Sequence, residues 1–224
     1  MLLSLLLPSW DYPDGATWRR WHPRLVGRSF PMRYAANQVI IPEMGESTSN
    51  TNIVIASAVD TFRSQKELAE QAIKQLSNEQ LHKSLDPETN SIAVIMKHLA
   101  GNMRSRWTDF LTSDGEKTWR QRDNEFVDDG KSLEALKDNW DQGWSRLFET
   151  VSQLTEQDLG KIVKIRGKPH LVIRAIDREI AHYGYHVGQI VQIARILAQD
   201  KWQTISIPRG ASEAYNRRTW ESDE

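Results

Sequence analysis

The sequence predicts an all-α protein, a four-helix bundle with a short strand-containing link before the last helix and an irregular N-terminal extension. Apolar residues recur at three- and four-residue steps in four segments between residues 56 and 199, which is the spacing of one face of a helix. Four such helices joined by links typically pack as a bundle. Five of the eight prolines fall within the first 50 residues, where neither a helical nor an alternating period is visible.

The helices and links follow from the apolar pattern and from local capping and breaking residues. Asn90 or Ser91 is a suitable N-cap for the second helix. The alternating segment 161–166 predicts a short strand, which Gly167-Lys168-Pro169 should end. The last helix is apolar around most of its circumference, so we expect it to be buried on several sides. The four predicted helices span residues 56–77, 91–111, 132–152 and 170–199.

The polar segment 112–130 connects the second and third predicted helices. One interpretation is a solvated crossover loop with surface ion pairs, which contribute little to stability. The other is a loop that covers the mouth of a pocket, because binding residues concentrate on loops over rigid scaffolds.

The chain divides into three regions by composition. Residues 1–50 are expected to form an irregular extension, and Met44 is a candidate for an alternative start. The other interpretation of this region is a tryptophan-rich docking arm. Residues 51–216 hold the predicted bundle, and residues 217–224 form a tail.

Composition excludes several classes of function. The net charge is -1, with 29 basic and 30 acidic residues well mixed, so no nucleic-acid partner is expected. The apolar run Leu2 to Leu7 is too short to span a bilayer, so no membrane association is expected. The chain has no cysteine, which excludes disulfides, thiolate metal ligands and a cysteine nucleophile, and fits a cytoplasmic location.

Three histidines are the strongest functional signal. His182 and His186 lie four residues apart on the last predicted helix, so both imidazoles project from one face and can reach one ion. His98 on the second helix would complete a site of three nitrogens with an open position, the arrangement of a catalytic rather than a structural zinc site. The alternative is that these are buried histidines, hydrogen-bonded to backbone or water.

Polar residues near these histidines are candidates for binding a substrate. Asn102 and Arg106 follow His98 at one-turn intervals and are expected to orient an anionic small molecule. Gln189 shares a face with His182 and His186. No glutamate stands between the two histidines as in zinc proteases, and neither a glycine-rich phosphate loop nor a serine elbow is present. The residues therefore identify a metal site but no further catalytic group.

Several separated motifs resemble the DinB/YfiT-like superfamily of metal-binding four-helix bundles. They are Lys97-His-Leu-Ala-Gly-Asn-Met103, Ser105-Arg-Trp107, His186-Val-Gly-Gln-Ile190 and Ser206-Ile-Pro-Arg-Gly210. The resemblance covers roughly residues 55–216 and is closer to a branch that is a domain of unknown function. It implies a fold of DinB/YfiT type and a divalent ion, zinc or nickel, held by His98, His182 and His186, often in a homodimer.

Some members of this superfamily are transferases that act with bacillithiol, mycothiol or glutathione, or related isomerases. The resemblance thus implies a metal-dependent transferase acting on a small molecule with a low-molecular-weight thiol. Because the chain lacks cysteine, such a thiol must come from the substrate side. The alternatives are a non-enzymatic stress-related or dimerisation protein with a structural metal, and a metal-dependent hydrolase.

Overall fold

The computed structural model describes residues 52–221, which are mostly helical. Four long helices, α1, α3, α4 and α6, share one apolar core. The bounds are α1 Ile53–Ile73, α2 Asn78–Leu81, α3 Ile92–Trp107, α4 Leu133–Ser152, α5 Glu156–Leu159, β1 Ile162–Ile165, β2 Lys168–Leu171, α6 Val172–Ala198 and α7 Ser212–Glu221. Two 3-10 helices span Arg122–Phe126 and Gln199–Lys201. The prediction of a mainly helical chain is confirmed.

Two predicted helix ends lie four residues beyond the ends in the structure. The first predicted helix, 56–77, ends at Ile73, and Ser77 begins the separate short helix α2 through a capping box. The second ends at Trp107 instead of residue 111, because Thr108 is extended and Asp109 has a positive φ of 48°. Ser91 is the N-cap of α3, and its side chain accepts from the backbone N–H of Val94.

The link before α6 is an antiparallel hairpin of two strands instead of the single predicted strand. Ile162 pairs with Leu171, and Ile165 pairs with Lys168. The second strand, β2, was not predicted because Pro169 cannot donate a hydrogen bond and usually ends a strand. It is tolerated here because β2 is an edge strand whose only partner within the described residues is β1.

Helix α3 is the most enclosed of the long helices. Fourteen of its 16 residues are buried, since α4, α6 and the 3-10 helix Arg122–Phe126 all pack against it. The last predicted helix, α6, was expected to be buried on several sides, and it packs against α1, α3, α5 and both strands of the hairpin. Helix α6 has one exposed stripe along its length, formed by Arg174, Arg178, Ala181, Tyr185, Gly188, Gln192 and Arg195.

The segment 112–130 is anchored to the hairpin. The side chain of Asp114 accepts hydrogen bonds from the backbone N–H groups of Glu116, Arg166 and Gly167, at 2.8, 2.8 and 2.6 Å. The backbone N–H of Gly115 donates to the carbonyl of Lys164 at 2.8 Å. These bonds fix the segment where it crosses between α3 and α4.

Parts of the predicted domain organisation lie outside the described residues. This holds for the extension over residues 1–50 and for residues 222–224 of the tail. Helix α7, Ser212–Glu221, runs through the domain end expected at residue 216. Within residues 52–221, no helix is long and apolar enough to cross a membrane.

Helices α3 and α4 approach each other closely at Gly143. A Cβ atom added there would lie 2.9 Å from the backbone Cα of Ala100, nearer than packing allows. Gly188 on the exposed stripe of α6 is also helical, but a Cβ added there would meet nothing within 4 Å.

We therefore expect Gly143→Ala to destabilise the protein by about 1–3 kcal/mol, because α3 and α4 must move apart. The matched change Gly188→Ala should stabilise it by up to about 1 kcal/mol through helix propensity. Urea unfolding followed by circular dichroism measures both. Equal effects of the two substitutions would contradict the close approach.

Candidate metal site

The fold brings the three predicted histidines together. His98 comes from α3, and His182 and His186 come from consecutive turns of α6. One ring nitrogen from each lies within 4.8 Å of the others, close enough to bind one ion. His98 is buried, whereas the His182 side chain is 21% exposed and His186 is half-buried. We call these three residues the histidine cluster.

Each histidine of the cluster has an oxygen next to its Nδ1 atom. The distances are 2.9 Å from His98 to Oε2 of Glu125, 3.3 Å from His182 to Oε2 of Glu179 and 2.8 Å from His186 to Oε1 of Gln189. Carboxylate and amide oxygens only accept, so these partners assign the proton of each imidazole to Nδ1. The lone pair is then on Nε2 in all three rings, and this atom is free to bind a metal.

Glu125 holds His98 and is itself held by Arg120. Nε and Nη2 of Arg120 donate to its two oxygens at 2.8 and 2.7 Å. Burial alone would raise the pKa of Glu125, but the hydrogen bonds from Arg120 and His98 outweigh it and lower the pKa. Gly101 of α3 makes room for this carboxylate, since a Cβ added there would lie 2.2 Å from Oε1.

Glu179 has the same role for His182. It is fully enclosed, and its Oε1 accepts from Nε of Arg106 at 3.1 Å. Burial would raise the pKa of Glu179, but the hydrogen bond with His182 and the charge of Arg106 lower it to about 2. This carboxylate therefore stays ionised beside the cluster.

The candidate substrate-binding residues lie next to the cluster but make internal contacts. Arg106 is buried and bonded to Glu179, so it reaches His182 through that carboxylate. Asn102 is also buried, and its Oδ1 accepts from the Tyr183 hydroxyl at 3.0 Å. These contacts place both side chains in the interior, away from a surface that a substrate could reach. Gln189 bonds His186 and donates to the Tyr185 hydroxyl.

Sequence reasoning missed the two carboxylates and Arg120. Glu179 stands three residues before His182, so helical spacing alone could have indicated it. Glu125 carried no such signal, because it lies on the 3-10 helix 27 positions from His98. The end of the 3-10 helix, Glu125 and Phe126, is not a solvated loop. Phe126 places its ring centre 4.7 Å from that of His98 and covers it.

Two of the three imidazoles, His98 and His186, have lowered pKa values. Burial lowers the pKa of His98, and the hydrogen bond to Glu125 offsets only part of this. Burial, followed by repulsion from His182 and His98, lowers the pKa of His186 to about 3. Imidazoles with an oxygen on the second ring nitrogen are the usual environment of metal-binding histidines, so the three residues fit a divalent metal ion.

The other described histidines lie outside the cluster. His82 places Nδ1 2.7 Å from Asp128 and Nε2 2.8 Å from the carbonyl of Lys131. His170 lies on β2. His22 falls outside the described residues.

Fold and site together define a mainly helical protein with three histidines converging from two packed helices. A family model described as "Protein of unknown function (DUF1572)" matches residues 49–211, most of the chain. The chain belongs to this family, which confirms the prediction of a domain of unknown function. No significant match was found among the curated proteins or among the solved structures.

The lowered imidazole pKa values predict how the metal-free protein responds to acid. An unfolded histidine has a pKa of about 6.5, so below that pH the unfolded chain binds protons that folded His98 and His186 do not. The free energy of unfolding should thus fall as pH drops from 6.5 to 5, by up to about 1.4 kcal/mol per pH unit for each histidine. Carboxylates titrate mostly below this window.

Urea unfolding of chelator-treated protein at several pH values measures this slope. The variant His186→Gln should show a shallower dependence than the unchanged protein, since it has lost one of the histidines whose pKa is lowered by folding. Identical slopes would show that His186 is protonated as easily in the folded state as in the unfolded one.

Proposed function

We propose that the chain is a metalloprotein of DinB/YfiT-like four-helix-bundle type that binds one divalent ion, zinc or nickel. Nε2 atoms of His98, His182 and His186 would be the ligands. Two observations carry the proposal: all three Nδ1 atoms are paired with an oxygen, which leaves Nε2 unprotonated in each ring, and one ring nitrogen from each histidine lies within 4.8 Å of the others.

An open coordination position favours an enzyme over a structural metal. Among the described residues the cluster holds three ligands and no fourth histidine or carboxylate. Phe126 covers His98, but His182 is partly exposed, and Tyr185, 62% exposed, meets the ring of His186 edge-on with 5.1 Å between the ring centres. A small molecule would therefore enter from the α6 side.

The ion would supply a Lewis acid, which lowers the pKa of a water or thiol that reaches its open position. The protein's own groups would orient the histidines that hold the ion. Glu125 and Glu179 hold the Nδ1 protons of His98 and His182, which keeps both rings in one tautomer and orientation. Arg120 and Arg106 keep those carboxylates ionised and in place.

The reaction we propose is a transfer to or from a small molecule with a low-molecular-weight thiol. It is supported by the sequence resemblance and by the absence of any cysteine nucleophile in the chain. The proposal includes a homodimer, which the resemblance supports, and a cytoplasmic location, which fits a chain without cysteine.

Elemental analysis of protein purified without a polyhistidine tag tests the metal site. We expect about one zinc or nickel ion per chain, and near-background metal in His98→Ala, His182→Ala and His186→Ala, because three ligands define one site. His170→Ala is the matched control and should keep its metal. Full metal content in all three cluster variants would refute the site.

The same preparations can be assayed for transfer of bacillithiol, mycothiol and glutathione to an electrophile. Turnover that disappears with the metal in the cluster variants would support the transferase. Stoichiometric metal without turnover, together with a large loss of melting temperature on chelation, would instead support the structural role.

A substitution of Gln189 tests whether this side chain positions the metal-binding His186. Leucine at this position leaves Nδ1 of His186 without its acceptor, so we expect Gln189→Leu to weaken metal affinity by roughly 10-fold or more. Gln192→Leu, on the exposed stripe of the same helix, is the control and should have no effect. Competition with a chromogenic chelator measures both. Unchanged affinity in Gln189→Leu would show that this side chain does not support His186.

A further inference from the structure

A polar cavity lies on the side of α3 that faces segment 112–130 and α4. Its volume is about 240 Å³, and Arg104, Trp119, Arg120 and Glu125 are among its lining residues. A second cavity of about 630 Å³ shares Arg104 and Trp119 with it. These two side chains therefore stand where the two cavities meet, and we call the combined space the Trp119 groove.

Arg104 is the one cation of the smaller cavity without a partner among the described residues. Lys97 pairs with Asp129 at 2.9 Å, Lys131 lies 3.4 Å from the same carboxylate, and Arg120 pairs with Glu125. Arg104 is exposed and forms no ion pair within residues 52–221. An unpaired guanidinium presents a planar fork of donors that suits a carboxylate.

Trp119 offers an apolar surface beside this guanidinium. Its side chain is 54% exposed, and its ring stacks on no other ring of the described residues. A tryptophan face binds flat rings well, because stacking adds to the burial of a large apolar area. Its position next to Arg104 therefore favours a ligand that is planar at one end and anionic at the other.

Among the described residues, the larger cavity has one unpaired side chain of each charge, Asp138 and Arg104, because Asp141 also pairs with Lys66 at 3.0 Å. Asp138, Asp141 and Glu149 line the larger cavity, against Arg104 and Arg146. Arg146 lies 3.4 Å from Glu149, which leaves no free cation on that side other than Arg104. A monocarboxylate would need only Arg104, whereas the second negative charge of a dianion such as phosphate would find no unpaired cation of residues 52–221 on this side of the groove.

We propose that the Trp119 groove binds a small aromatic monocarboxylate, with its carboxylate on Arg104 and its ring on Trp119. This site is separate from the histidine cluster, although Glu125 belongs to both, since it lines the groove and bonds His98. The inference goes beyond the proposed function and does not require a bound metal.

Isothermal titration of the full, metal-free chain with benzoate tests the site. We expect saturable binding that weakens at least about 10-fold in Arg104→Ala, the loss expected for one charge-assisted hydrogen-bonded pair. Trp119→Ala should lose a similar amount, and Trp119→Phe should keep most of the affinity. Arg174→Ala is the matched control, because Arg174 is exposed on α6 and lines neither cavity.

Comparison ligands identify which part of benzoate is recognised. Benzamide, which has the ring without the charge, and inorganic phosphate should both bind much more weakly than benzoate. Phosphate binding as tight as benzoate, equal losses in Arg104→Ala and Arg174→Ala, or no saturable benzoate binding up to about 10 mM would each overturn the proposal. His186→Ala should leave benzoate affinity unchanged, so failure of the metal site and failure of this site are distinguishable.

Discussion

Three polar side chains on successive turns of α3 are buried, and the requirement that each be paired organises the middle of the molecule. His98, Asn102 and Arg106 follow one another at intervals of one turn, and none is more than 6% exposed. Each finds its partner on another element: the 3-10 helix for His98, and α6 for the other two. An unpaired buried group costs about 1–3 kcal/mol, so these contacts fix how α3 meets its neighbours.

The orientation of His98 depends on a series of ion pairs that extends to the surface of the protein. Arg166 on the hairpin turn contacts Glu116, Glu116 contacts Arg120, and Arg120 holds Glu125 against His98. Only Arg166, at the surface end of the series, is well exposed. The ion pairs inside the protein therefore carry a cost of desolvation. That loss is offset because Arg120 places one donor or more on each of two carboxylates. The hydrogen bonds from the hairpin turn to Asp114 hold Glu116 and Arg166 next to each other.

Helix α3 faces two different environments. His98 points toward α6, whereas Arg104 follows six residues later, about 240° further around the helix, and reaches the Trp119 groove. Glu125 lies between them and contributes to both. A ligand in the groove and an ion at the cluster would thus share one wall without competing for the same atoms. The proposed metal site and the proposed ligand site in the Trp119 groove can therefore be tested independently.

Local sequence patterns determined the helices and the pair of histidines on α6. The spacing of His182 and His186 fixes their common face as soon as the segment is helical, and Ser91 and Ser132 cap α3 and α4 through bonds within three residues. Such features depend on short-range geometry, which the sequence carries directly. His98 was recognised through its spacing and its motif, but its meeting with α6 needed the packing of two helices.

Tertiary structure alone decided what surrounds the cluster. The pairs His98–Glu125 and Arg106–Glu179 join residues 27 and 73 positions apart, and no local period relates them. The strand β2 forms despite Pro169 because β1 supplies its partner, and 14 of the 16 residues of α3 are buried because α4, α6 and the 3-10 helix Arg122–Phe126 pack around it. These outcomes depend on which surfaces meet, a long-range property that helical periodicity and residue spacing do not encode.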